Sequence, residues 1–192
     1  MTDMTRARAY PGRHFPAMGR TLGTAGVVPP LNKIIALPFD AGGEFDAISV
    51  LVKFGGSGDA VLRAGIYSSG YDGLPATLLA EVSEHEVDTP HQGQIDMLLP
   101  EPIYLDTPYW VAAVFGGDTA PTMLASAAVN TAEMQRVFGV SSSQLQFGLF
   151  SGSNAILVDQ IYGSLPEEFP SGHALSATTL WLSVRSTAAP SA

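Results

Sequence analysis

Eighteen carboxylates and four histidines are the groups in this chain able to carry acid–base or metal chemistry. His85, Glu86, Asp88 and His91 fall close together and have the donor types of a zinc or hard-metal site. No helical i, i+4 pair organises them, so the spacing reads first as a solvated acidic loop between strands. Glycine–aspartate loops at 55–59, 70–73 and 116–118 offer oxygens for Ca2+, but none has the acid density of an EF-hand, and turn chemistry accounts for them. Glycoside hydrolysis needs two carboxylates about 5–9 Å apart in a cleft, and no pair stands out. Ser151-Gly152-Ser153 and Ser57-Gly58 lack the flanks of a nucleophile elbow. Gly55-Gly56-Ser57-Gly58-Asp59 lacks the lysine and hydroxyl of a phosphate loop. There is no cysteine, which removes thiol catalysis, disulfides and cysteine metal sites together. The residues therefore read as non-enzymatic, with no cofactor and no metal. Binding is the chemistry left. Tyr71 with Asp72 in a predicted turn, and Trp181 on the face opposite Leu180 and Leu182, have the aromatic and polar character of a glycan contact. The same residues also fit packing: Trp181 under the 130–160 segment, Tyr71 capping one end of the fold.

The elements that must position these residues are short strands. Only 14% of the residues are charged, against about 25% in an average soluble protein. Gly 20 and Pro 14 make turn formers abundant. Lys33–Phe39 is a first strand. Phe45–Phe54 follows with Ile48, Val50, Val52 and Phe54 on one face, the period of two expected of a half-buried strand. Val61–Tyr67 sends Leu62, Ala64 and Ile66 one way and Arg63, Gly65 and Tyr67 the other. Thr77–Val82, then Gln94–Leu99 with Ile95, Met97 and Leu99 inward, come next; Pro100, Pro102 and Pro108 are expected to bound the connection that follows. Tyr109–Phe115 is apolar on both faces and reads as a doubly buried strand. Thr122–Val129 and Thr178–Ser186, with residues 154–163 as a further short strand or ordered loop, complete about eight strands. Residues 130–150 admit a short helix capped by Asn130 or Thr131, with Glu133 at capping-box spacing, or an irregular segment. No βαβ rhythm and no internal repeat appear. The fold class is all-β: an antiparallel β-sandwich or jelly roll over residues 31–187, with an extended N-terminal arm at 1–30 and a loose tail at 188–192.

Charge is unevenly divided. Residues 1–20 carry Arg6, Arg8, Arg13 and Arg20 against Asp3, a net +3, and the rest of the chain carries −12, giving −9 in all. An acidic body has no counterion-releasing surface for nucleic acid. The arm, with Pro11, Pro16, Pro29 and Pro30, shows no consistent period. Arg6, Arg8, Tyr10, Arg13, Phe15 and Arg20 are its candidate anchors on a partner surface. No apolar run approaches the ~20 residues of a membrane span, and the N-terminus has no apolar leader core.

Several segments, in order, resemble a small jelly-roll domain of bacteriophage virion proteins, found in tail fibres, head fibres and related spikes. They are Lys33-Ile34-Ile35-Ala36-Leu37-Pro38-Phe39; Leu62-Arg63-Ala64-Gly65-Ile66-Tyr67 followed by Gly73-Leu74-Pro75-Ala76-Thr77-Leu78; Tyr109-Trp110-Val111-Ala112-Ala113-Val114; and Gly163-Ser164-Leu165-Pro166 ahead of Trp181-Leu182-Ser183-Val184-Arg185. The Gly-x-Pro-x-x-Leu element also occurs in carbohydrate-binding β-sandwiches. The resemblance implies a structural virion component, a fibre, spike or decoration protein assembled in the host cytoplasm. Its arm would attach to capsid or tail proteins, and its jelly roll would face host-surface polysaccharide. A free carbohydrate-binding module is the alternative, and a small glycan hydrolase a more distant one. In this sequence Gly65 is expected to leave room for the Arg63 guanidinium to lie over its strand. Self-association, with a trimer favoured by analogy, rests on the two-faced apolar strand 109–115 and on low surface charge. Three copies of a −12 body repel, so the acids at 84–88 are expected on outward loops.

Overall fold

The computed structural model describes residues 12–17, 22–88, 90, 92–106, 108–126, 155–176 and 180–187, and among these there are strands but no helix. The strands are β1 (His14–Pro16), β2 (Leu22–Val27), β3 (Lys33–Phe39), β4 (Gly43–Phe54), β5 (Val61–Ser69), β6 (Pro75–Glu81) and β7 (His85–Glu86). They continue with β8 (Gly93–Leu105), β9 (Tyr109–Gly116), β10 (Thr122–Ser126), β11 (Ala155–Asp159), β12 (Ala174–Ser176) and β13 (Leu182–Ser186). They form two antiparallel sheets. The six-stranded sheet runs β1-β13-β4-β10-β2, with β8 on the other side of β4; the seven-stranded sheet runs β12-β11-β3-β9-β5-β6, with β7 on β5. The alternation read from the sequence decides what lies between them. Ile35, Leu37 and Phe39, Ile48, Val50 and Val52, Leu62, Ala64 and Ile66, Ile95, Met97 and Leu99, and Leu180, Leu182 and Val184 join one buried cluster.

Residues 12–17 and 22–27 depart from the expected arm. Gly12 donates its N–H to the Ser186 carbonyl at 3.1 Å, and β1 pairs with β13 through Phe15↔Val184. Phe15 is buried, edge-on to Phe45 with centroids 6.0 Å apart, and Phe45 in turn packs on Tyr109. β2 pairs with β10. A single aromatic between His14 and Pro16 is too short a pattern to read as a strand, yet a ready-made aromatic cluster and an open sheet edge suffice to order it. Phe15 is a core residue, not an anchor. Arg13 lies with its guanidinium 5.6 Å from the Phe15 ring centroid.

Two further expectations change. β8 runs on through Pro100 and Pro102, because the ladder to β4 jumps from Leu98↔Ala47 to Ile103↔Phe45 and leaves both prolines in the bulge between them. Prolines are tolerated there and on an edge, where no ladder bond is asked of their missing N–H. The doubly apolar β9 is indeed buried on both faces, but its outer face is covered by the chain itself. Ile34, Ala36, Tyr67, Trp110, Ala112, Val114, Ile156, Val158 and Leu165 make a second cluster, roofed by Tyr162, Phe169 and Leu74. The apolar outer face thus has its own cover, and the reason it offered for a subunit contact falls away. The helix considered within 130–150, residues 127–129 of the expected strand Thr122–Val129 and the tail from 188 lie outside the described residues.

Candidate functional site

The cover of the second cluster brings two segments of the resemblance together with Tyr162 and Phe169. Leu165 sits where a side chain on Gly65 would be: a Cβ there would lie 2.6 Å from Leu165 Cδ1 and 2.9 Å from the Ala80 carbonyl oxygen. Gly65 therefore makes room for Leu165. Arg63, expected over the strand, instead reaches sideways, its Nη1 lying 3.5 Å from Glu81 Oε1 and its Nε 3.7 Å from Glu84 Oε2. Glu81 also accepts the Leu165 N–H at 2.9 Å. The Tyr67 hydroxyl donates to the Pro166 carbonyl at 2.8 Å, and its ring meets Phe169 at right angles, centroids 5.1 Å apart. Burial, with the Glu81 charge adding to it, pushes the Tyr67 hydroxyl well above the ordinary tyrosine range. Residues 167–169 then bond to β6: Leu78 N–H to the Glu167 carbonyl and Phe169 N–H to the Ala76 carbonyl, both at 2.7 Å. The segment Arg63–Tyr67, the strand after Leu74-Pro75, and Gly163–Pro166 are one fastening.

Beside this fastening, the connection between β5 and β6 is a turn closed by its own hydrogen bonds. Gly70 N–H donates to the Leu74 carbonyl at 2.7 Å and Gly73 N–H to the Gly70 carbonyl at 3.0 Å. Asp72 Oδ1 accepts the Leu74 N–H at 3.0 Å. Gly73 has φ 79°, a conformation open to glycine at little cost. Tyr71 stands at the corner of this turn, fully exposed. Ser69, Gly70 and Ala76 line an open concavity of about 390 Å3 beside its ring. Asp72 belongs to the same turn, where its carboxylate is already engaged with the backbone.

Trp181 is half-buried and elsewhere. Its backbone N–H donates to the Leu124 carbonyl at 2.9 Å, and it precedes Leu182, which pairs with Val50 in the middle of β4. The Tyr71 turn follows Ser68, which pairs with Tyr109, itself opposite Phe39 at the end of β3. The structure thus places Tyr71 and Trp181 on different sheets and does not join them in one site. Of the anchor candidates, Phe15 is buried, Arg13 is exposed beside it, and Arg6, Arg8, Tyr10 and Arg20 lie outside the described residues.

Two features went unread in the sequence. On the outer face of the six-stranded sheet, Ala47, Ser49 and Ser183 form a buried floor of small residues, and long polar side chains lie across it. Arg185 grips Asp46 with two bonds of 2.9 and 3.1 Å and Asp96 with one of 2.9 Å. Gln94 donates to Asp96 at 2.8 Å and lies 3.0 Å from His14 Nε2. Burial alone would raise the Asp96 carboxyl. The Ser49 hydroxyl and Gln94 amide, with the His14 and Arg185 charges, outweigh it and hold Asp96 below the ordinary carboxylate range. The second is a cavity of about 350 Å3 at the seam of the edge strands β6 and β8, lined by Leu79, Glu81, Pro100 and Ile103 among others. Of the acidic group, His85 and Glu86 form β7 against β5, Asp88 bridges to Gly56, and His91 lies outside the described residues. No protein-family model, curated protein or solved structure matches the chain.

Proposed function

We propose that this chain is a non-enzymatic structural component of a bacteriophage or phage-like particle, a fibre, spike or decoration protein, that meets host-surface glycan through the Tyr71 turn. The observation that carries the contact reading is a large aromatic held clear of the surface by a turn with three internal hydrogen bonds. A ring that buries nothing in its own fold contributes little to stability. A preordered turn, however, binds with little ordering cost. The virion part of the reading rests on the resemblance; two of its pieces pack together, Gly65 making room for Leu165 and Tyr67 bonding Pro166. The segment available for attachment is shorter than the first thirty residues, since 12–17 and 22–27 are knitted into the sandwich.

The test has two readouts. The protein is expected to co-sediment with purified particles on a density gradient, and Tyr71→Ala is expected to leave its melting temperature unchanged while reducing particle adsorption to host cells. A chain found only as free protein would favour the carbohydrate-binding module instead. Time-dependent release of reducing ends from host polysaccharide by the purified protein would overturn the non-enzymatic reading.

A further inference from the structure

We infer that the glycan taken by the Tyr71 turn is uncharged or amine-bearing, and that acidic glycans are rejected there; this rests on the reading of Tyr71 as a glycan contact. Acidic side chains gather around that end of the seven-stranded sheet. Three of the connections at that end carry an exposed aspartate: Asp40 after β3, Asp72 within the turn, and Asp106 ahead of β9. Glu168 is fixed nearby, bridged to Thr77 on β6 and accepting its hydroxyl at 3.2 Å. Glu167 is held beside it by the bond from Leu78.

Among the described residues no lysine or arginine belongs to those connections. Lys33 is paired with Asp159 at the opposite end of β3, and Arg63 lies between Glu81 and Glu84. Arg185 is held by Asp46 and Asp96 on the other sheet. Lys53 lies 5.9 Å from the Phe54 ring centroid at the end of β4, and Arg13 over Phe15 on β1, both also on that sheet. A uronate, sialate, sulfate or phosphate group at Tyr71 would approach an end of the sheet that carries the carboxylates of Asp40, Asp72, Asp106, Glu167 and Glu168, and among the described residues no guanidinium or ammonium on these connections receives it. A neutral sugar does not meet that repulsion. Its C–H face can lie on the negative face of the tyrosine ring, with Gly70 and Ala76 leaving the flank of the ring open. An amino sugar gains twice, from the ring face and from the carboxylate collar.

Binding of the full-length protein to three hexasaccharides, a neutral β-glucan, a chitosan and a hyaluronan, measured by calorimetry at 10 and 150 mM salt, tests this. The neutral ligand is expected to bind equally at both salts. Chitosan should weaken several-fold as the screening length falls from about 30 to about 8 Å. Hyaluronan should not bind at either. Tyr71→Ala should reduce the first two at least tenfold. Asp72→Asn keeps the Oδ1 acceptor of the turn, so it should weaken chitosan alone. Tyr71-dependent binding of hyaluronan would overturn this inference and leave the glycan reading standing. Absence of any Tyr71-dependent binding would overturn both.

Discussion

Replacing Gly65 by alanine is expected to unseat Leu165, and the size of the effect can be worked from the contacts. The new methyl would lie 2.6 Å from Leu165 Cδ1, 3.0 Å from Leu78 Cδ1 and 2.9 Å from the Ala80 carbonyl oxygen. The two leucine termini can rotate away. The carbonyl cannot, because Ala80 is paired with Ile66 in the ladder between β5 and β6. Gly65 does not use the left-handed backbone region, so the penalty is one of contact alone. Overpacking of this kind costs about 1–3 kcal/mol, and at ~2–4 °C per kcal/mol for a chain of this length the midpoint should fall by roughly 2–12 °C. Leu165→Ala, at a buried position in the second cluster, should cost about 2–3 kcal/mol through lost burial and a residual cavity. The double variant is the decisive measurement. The alanine methyl occupies part of the space that Leu165 vacates, so the pair should cost about 1–2 kcal/mol less than the sum of the singles. Urea unfolding followed by tryptophan fluorescence suits the assay, since Trp110 lies in the same cluster. A neutral Gly65→Ala, or singles that add to within about 0.5 kcal/mol, would refute the notch and with it the account of the motif.

Phe15→Ala should destabilise the protein by about 3 kcal/mol, as loss of a buried aromatic does, whereas deleting residues 1–11 should leave the urea midpoint nearly unchanged; an Ala variant as stable as the parent would return Phe15 to the solvent. Tyr109→Phe removes the hydroxyl that donates to the Ala41 carbonyl at 2.9 Å. It should cost about 1 kcal/mol, the usual net value of one buried hydrogen bond, read as a midpoint shift in the same denaturation. The depressed Asp96 carboxyl sets an acid limit. Because its folded form holds the proton less tightly than the unfolded chain, its contribution is fully present above the unfolded value of about 3.9 and is lost as pH falls through the lower folded value. Stability measured from pH 6 down to pH 2 should therefore fall less steeply in Asp96→Asn than in the parent; equal slopes would show that the Arg185 ladder carries none of the acid sensitivity.

How much of this was legible in the sequence follows from how local each signal is. Period two along Ile48–Val52, Leu62–Ile66 and Ile95–Leu99 is set by the pleat of a strand, so the all-β class and the inward faces could be read directly, as could the double burial of Tyr109–Phe115. The turn carrying Tyr71 was legible for the same reason: Gly70, Asp72 and Gly73 are chosen by backbone angles and a local hydrogen bond. What the tertiary structure decided depends on partners far apart in the chain. Phe15 is ordered by Phe45 and Val184, Gly65 is demanded by Leu165 a hundred residues on, and Pro100 and Pro102 sit in a strand because the ladder to β4 steps past them. The neutralisation of Arg63 and Arg185, which leaves the Tyr71 end without a described cation, is likewise a matter of which strands lie side by side. Composition counts charges, but only packing decides which of them meet.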